Sequence, residues 1–245
     1  MNNYRAVIEY DGTDFSGFQI QKGDVRTVQK EIYKVLKKLL PDTKRFSYAG
    51  RTDAGVHAKN QVISFDTGLE PDLYRFKWQF NCMVPGDIVM KSVIGTDGFF
   101  DARREAVSRR YCYYVVNNNH CSVFFRRYCV MLTNELDTKA MSEALKVFKG
   151  VHDFAAFSNE DEEAFTIREV TDISLNRYDE GLIKFSIEAN SFLYNMVRKI
   201  IGTLLEIGQD KRDIDSIYTA FEDKDKTKTA KTAPARGLFL ESVKY

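Results

Sequence analysis

Histidine is scarce in this chain, with three in 245 residues. None has a second ligand type at zinc-finger spacing, and His57, four residues after Asp53, has no suitably spaced carboxylate or cysteine to complete a metal site. The four cysteines, Cys82, Cys112, Cys121 and Cys129, show no Cys-x-x-Cys spacing. Neither a cysteine-built metal site nor a disulfide framework is therefore expected. No run approaches the roughly 18 apolar residues of a membrane span. Residues 1–5 lead straight into a strand pattern without an apolar signal region. These absences predict a soluble cytoplasmic protein. Net charge is lacking too: 36 Lys and Arg stand against 35 Asp and Glu, a balance of +1. No global field draws in a polyanion, so any nucleic-acid site must be a local basic patch.

What is present is enough apolar material, 44% of 245 residues, for one large core or two modest ones. A strand is expected over 5–10. A loop rich in aromatics and amides follows over 11–21. Thr27 caps a helix over 27–40, with Val28, Ile32, Val35, Leu36, Leu39 and Leu40 on one face and Pro41 beyond its end. Further strands are expected over 61–66 and 88–94, the latter preceded by a turn at 81–85. Strand, helix, strand, strand is the order of an α+β sandwich of the ferredoxin-like type, an antiparallel sheet with helices on one face.

The second half repeats the style. Asp137 or Thr138 caps a helix carrying Met141, Ala144, Leu145 and Phe148, ended by Gly150. Strands follow over 167–175 and 182–189. A strongly apolar helix then runs over 192–207, with Ser191 as cap and Asn195, Arg198 and Lys199 toward its polar side. The acidic run Glu160-Asp161-Glu162-Glu163 reads as a solvated loop that would repel phosphate.

Chemistry concentrates in Gly50-Arg51-Thr52-Asp53-Ala54-Gly55-Val56-His57-Ala58-Lys59, on a connection between rigid elements. Beside Arg51, Asp53 offers a carboxylate as candidate nucleophile or base. Taken alone, the five residues Arg51 to Gly55 also suit a simple turn with Asp53 bonding backbone amides. Over 99–114, four arginines and three tyrosines interleave; arginine neutralises phosphate and aromatic rings stack on unpaired bases, though the same pattern suits a strand packed through its tyrosines. Phe124-Phe125-Arg126-Arg127-Tyr128 adds a second basic and aromatic cluster. His152-Asp153 makes no catalytic dyad, because no serine or cysteine nucleophile is placed by a recognisable motif.

The Asp53 stretch resembles the signature of the TruA family of tRNA pseudouridine synthases. Tyr10-Asp11-Gly12-Thr13 with Gly17-Phe18-Gln19-Ile20-Gln21 resembles a second family motif, with Phe18 in place of the usual Trp. Arg110-Tyr111-Cys112-Tyr113 is similar to Arg-Tyr-x-Tyr, residues 192–198 to Phe-x-x-x-Met-Val-Arg, and residues 233–238 to Ala-Pro-x-x-Gly-Leu. Asp101 and Arg104 depart from the family's Phe-His-Ala-Arg-Phe.

The resemblance implies two ferredoxin-like α+β halves, 1–105 and 106–245, with antiparallel sheets joined around a central active-site cleft. It implies Asp53 as the catalytic carboxylate, Arg198 as its ion-pair partner and Tyr111 as the residue stacked on the target uracil. Arg51, His57, Arg110 and Leu238 are the further substrate-binding residues expected. It also implies a homodimer gripping one tRNA, with no metal or other cofactor because isomerisation involves no redox step. Family habit points to uridines of the anticodon stem-loop, about positions 38 to 40. Asp53 would attack C1′, add to the base or remove the 2′ proton; the residues do not choose among these. A paralogue acting on other uridines of tRNA or ribosomal RNA, a catalytically silent RNA-binding module and an aspartate-dependent hydrolase are the rival readings.

Overall fold

The computed structural model describes residues 1–159 and 165–245, so the acidic run at 160–163 lies outside the described residues. The chain divides into two compact units, one made of Met1–Val107 with Phe239–Tyr245, the other of Ser108–Leu238.

The first unit begins β1 (Asn2–Tyr10), α1 (Val28–Leu39), β2 (Lys44–Tyr48), β3 (His57–Thr67), α2 (Leu73–Met83) and β4 (Ile88–Gly95). Its antiparallel strands run in the order β4-β1-β3, with β2 against the C-terminal half of β3. This is the α+β arrangement expected, with two elements that the periodicity did not predict. Strand β2 is short and largely exposed, so it shows no alternation.

Helix α2 hides behind an alternation of its own. Tyr74-Arg75-Phe76-Lys77-Trp78-Gln79-Phe80 reads apolar, polar, apolar, as a strand would. Yet Asp72 caps it by accepting from the Arg75 amide at 2.8 Å, and only Phe76 and Phe80, one helical turn apart, are buried. Phe76 packs on Phe65 of β3 at 6.2 Å between ring centroids, while Tyr74 and Trp78 face solvent. The turn expected at 81–85 is thus the end of this helix. Asn81 there pairs with both backbone groups of Met90, at 2.8 and 3.0 Å.

Helix α1 is as expected, with the Thr27 hydroxyl accepting from the Lys30 amide. Ala6, Ile8, Ile63 and Phe65 are fully buried, while Ala49, Val62, Phe100 and Ala102 form a second, smaller cluster with Val7 and Val243. Alternation along β1 and β3 separates the two sets. Asp101 serves this cluster's edge. Its carboxylate accepts from the Arg103 and Arg104 amides at 2.8 and 3.0 Å and from the Ser47 hydroxyl at 2.8 Å. Desolvation pushes its pKa up, but these donors outweigh it and hold the carboxyl below its ordinary value.

The second unit contains β5 (Ser108–Asn117), β6 (Val130–Leu132), α3 (Thr138–Lys146), β7 (Gly150–Asp153), β8 (Ile167–Arg177), β9 (Leu182–Ala189), α4 (Met196–Gly208) and α5 (Asp215–Asp223). Strands β5, β9, β8 and β7 pair antiparallel in that order, and β6 lies parallel to β5. Asp137 caps α3. His152 stacks on Phe221 of α5 at 4.8 Å, and Asp153 accepts from Thr166 and pairs with Lys224, so the two serve packing.

Helix α4 starts four residues later than expected, at Met196 rather than Phe192, because Asn195 takes a left-handed conformation (φ 62°) and forces a turn before it. Ser191 therefore caps nothing. The helix is also buried on more sides than an amphipathic reading allows. Lys199 is 7% exposed, with Nζ donating to the Thr229 hydroxyl at 3.2 Å. Burial, reinforced by the Lys226 charge, pushes its pKa below the ordinary 10.5. Between that lowered value and the ordinary one the unfolded chain holds more protons than the folded, so stability rises with pH across this alkaline window. Lys199→Met should flatten that rise and leave stability at neutral pH unchanged or higher by about 1 kcal/mol. Chemical unfolding at about pH 7 and about pH 9.5 measures both.

Candidate active site

Asp53 lies on the connection between β2 and β3, and almost every neighbour of it in sequence is tied down. The Ala49 amide donates to Val62 O at 2.9 Å, and the Gln61 side chain donates to Gly50 O at 2.8 Å. Thr52 is buried, its carbonyl accepting from the Phe18 amide at 3.0 Å and its hydroxyl within 2.7 Å of the Tyr10 hydroxyl. Burial pushes the Tyr10 phenol far above its ordinary pKa, more than the Thr52 and Gln61 hydrogen bonds lower it, so it stays neutral. The Val56 amide closes the turn on Asp53 O at 3.1 Å, and the Gly55 amide reaches Phe15 O at 3.3 Å. Asp53 itself is part-exposed and Arg51 exposed. Main-chain anchors on both sides hold the backbone that carries this part-exposed carboxylate.

The partner in this arrangement is the loop after β1, expected as rich in aromatics and amides. Phe15 and Phe18 are in fact buried, Phe18 packing on Tyr48 at 4.6 Å and Tyr10 at 6.0 Å. Two glycines let the loops meet. A Cβ on Gly12 would lie 1.9 Å from Val56 O, and one on Gly17, at φ 91°, 3.0 Å from Thr52 O.

His57 opens β3 and is 1% exposed. Its Nδ1 accepts from the Gly12 amide at 3.0 Å, stands 3.1 Å from Asp11 Oδ1, and its ring stacks on Phe239 at 4.5 Å. The strand carrying Phe239, β10 (Leu238–Lys244), pairs parallel with β3 through Phe239 opposite His57. The imidazole thus braces the two loops from inside.

In the second unit, Tyr111 on β5 is nearly buried and meets Phe192 edge-to-face at 5.1 Å. Arg198, in the first turn of α4, donates from Nε to Ala233 O at 2.7 Å and from Nη1 to Asn195 Oδ1 at 2.9 Å. The Ala233 amide returns a bond to Arg198 O at 3.1 Å. Gly202 permits this closeness, since a Cβ there would lie 2.2 Å from Lys231 O. Tyr113 OH donates to Pro234 O at 2.8 Å, and its ring fills the space that a Cβ on Gly237 would need. Leu238, buried, ends the segment so held. Sequence reading singled out Arg198 and Leu238, but not the supports that Asn195, the Ala233 carbonyl and Tyr113 give this segment. Only Gly202 and Gly237 signalled a close approach.

Arg110 is held by carboxylates of its own sheet. Its guanidinium donates to Glu188 at 2.9 and 2.6 Å and pairs with Asp172 at 3.0 Å. Glu188, 5% exposed and directly opposite on β9, also accepts from the Ser108 hydroxyl at 2.6 Å. Glu188→Ala should cost about 3 kcal/mol, because it strips a half-buried guanidinium of its main partner. Urea unfolding measures this; a loss under about 0.5 kcal/mol would mean that Asp172 suffices.

Residues 144–245 match a family model described as tRNA pseudouridine synthase. The tRNA pseudouridine synthase A of Geobacillus sp. (strain WCH70) is 44% identical over 243 residues, 98% of this chain and 97% of that protein. The chain belongs to the tRNA pseudouridine synthase A family. That of Acetivibrio thermocellus is 41% identical over the full length of both chains. The family model spans Arg198, Ala233 and Leu238; the full-length relatives span Asp53 and Tyr111 as well. Membership in this tRNA pseudouridine synthase family makes the chain an RNA-modifying isomerase, which removes the hydrolase and the silent binding module as readings of the chain.

Proposed function

We propose that the chain isomerises uridine to pseudouridine in the anticodon stem-loop of tRNA, about positions 38 to 40, with Asp53 as the catalytic carboxylate. The observation that supports Asp53 most is its setting: a part-exposed carboxylate on a loop whose flanking residues are anchored by main-chain bonds. The reaction breaks the bond from N1 to C1′, turns the base and rejoins it through C5, with the C5 proton leaving to solvent. Asp53 serves that exchange by attack on C1′, addition to the base or removal of the 2′ proton.

In this proposal Tyr111 stacks on the extruded uracil, Leu238 lies beside it, and Arg198 pairs with Asp53 and orients it. Reaching the carboxylate requires the base to leave its stack, a cost of a few kcal/mol that stacking and phosphate contacts offset. The bonds from Arg198 to Asn195 and Ala233 support a fixed guanidinium, and Phe192 supports a fixed Tyr111 ring. Arg51, exposed beside Asp53, is assigned to RNA phosphate. His57 and Arg110, enclosed by their own neighbours, are assigned to positioning the Asp53 loop and β5 respectively. The active form is proposed to be a cytoplasmic homodimer that takes up one tRNA.

The test is a pseudouridine map of tRNA and ribosomal RNA after incubation with the purified chain. Modification confined to the anticodon stem-loop supports the proposal. Modification elsewhere in either RNA keeps the chemistry and reassigns the target.

A further inference from the structure

Between β5 and β6 the chain makes a tight turn at residues 122–128. The Ser122 side chain accepts from the Phe124 amide at 3.3 Å, and its carbonyl accepts from the Phe125 and Arg126 amides at 3.0 and 3.1 Å. The Tyr128 amide returns to Phe125 O at 2.8 Å. At its root the Cys121 and Cys129 sulfurs are 3.5 Å apart, and Cys129 Sγ donates to Phe125 O at 3.3 Å. Strands β5 and β6 pair in register immediately behind, Val115 opposite Val130. The turn is therefore built, held by hydrogen bonds of its own.

What it displays is costly to leave in water. Val123, Phe124 and Phe125 are 63, 82 and 64% exposed, three adjacent apolar side chains at one tip. A contiguous exposed patch of this kind marks an interaction surface. The charge around it selects the partner. Arg126 and Arg127 follow directly and are exposed, and no carboxylate occurs from residue 106 to residue 134. Acidic residues make up 35 of 245, one in seven, so a stretch of 29 residues would ordinarily carry about four. Two rings and two guanidiniums side by side in one short turn suit bases with their phosphates. A second protein copy suits the tip less well, since two phenylalanines supply at most about 500 Å² against the roughly 800 Å² per partner of a stable interface.

We propose that the 122–128 turn is a stacking finger for unpaired nucleotides of the RNA substrate, with Phe124 and Phe125 against the bases and Arg126 and Arg127 on the adjoining phosphates. The proposal rests on the tRNA reading above and adds to it a surface that neither the family motifs nor the expected site residues include. Because the turn is closed at its root, the rings are presented before RNA arrives, and little ordering remains to be done on binding.

The test measures affinity for a tRNA transcript in the Asp53→Asn background, where turnover does not interfere, by fluorescence anisotropy. Adding Phe124→Ala and Phe125→Ala should weaken binding at least about tenfold, the order expected when base stacking is removed. It should leave affinity for a fully paired RNA duplex and the unfolding midpoint unchanged. Arg126→Ala with Arg127→Ala should lower the slope of log affinity against log salt by about 1 to 2. Affinity for tRNA within about twofold of the parent in the phenylalanine variant would overturn the finger. Loss of self-association with tRNA affinity retained would also overturn it, assigning the tip to a second copy of the chain. These outcomes are read from binding alone, whereas failure of the functional reading shows separately, as absence of Asp53-dependent pseudouridine with the unsubstituted chain.

Discussion

Asp53→Asn should lower the rate of pseudouridine formation at least about a thousandfold, with tRNA still bound. The amide matches the carboxylate in shape but neither attacks carbon nor takes a proton at neutral pH. The loop would keep its form, because the Thr52 hydroxyl and carbonyl, the Asp53 carbonyl and the Gly55 amide anchor it, and the substitution leaves all four in place. Near-ultraviolet dichroism and tRNA affinity close to the parent's would confirm that only chemistry was lost. Activity within about tenfold of the parent would move the chemistry to another group.

Gly12→Ala should be nearly as damaging to activity and far worse for stability. The new Cβ would lie 1.9 Å from Val56 O and 2.5 Å from Val56 C, both backbone atoms of the Asp53 loop, so no side-chain rotation relieves the clash. The two loops must part. With them go the Gly12 amide bond to His57 and the packing that brings Phe15 O to Gly55. A stability loss of about 3 kcal/mol follows from forced overpacking of this kind, and a displacement of about 1 Å at the carboxylate costs on the order of a hundredfold in rate. Gly86→Ala is the control, since nothing stands within 4 Å of its added Cβ. If Gly12→Ala unfolds and turns over like Gly86→Ala, the loop pairing does not hold the site.

The elements that sequence made legible are those whose signals are local. Thr27 followed by a period of 3.6 gave α1, and the α+β class followed from the order of strands and helices. Helix α2 was hidden because the pairs Tyr74/Trp78 and Phe76/Phe80 interleave into a strand-like alternation. The start of α4 was hidden because the left-handed backbone of Asn195 leaves no mark on the residues before it. At the site, Asp53 was visible through its glycines and basic neighbour, whereas its supports were not. Tyr10 to Thr52 and Gly12 to Val56 are contacts across more than forty residues, and the Ala233 carbonyl that holds Arg198 belongs to a backbone any sequence carries. Lys199 shows the same limit from the other side: a charged residue was read as surface, and tertiary packing buried it.

The measurement closest to the central claim is the release of tritium from tRNA carrying uridine labelled at C5, incubated with the purified chain. Rejoining the base through C5 must expel that hydrogen, so the account predicts release that plateaus at the number of anticodon stem-loop targets and is absent with Asp53→Asn. No release from any tRNA, or release that Asp53→Asn leaves intact, would contradict it.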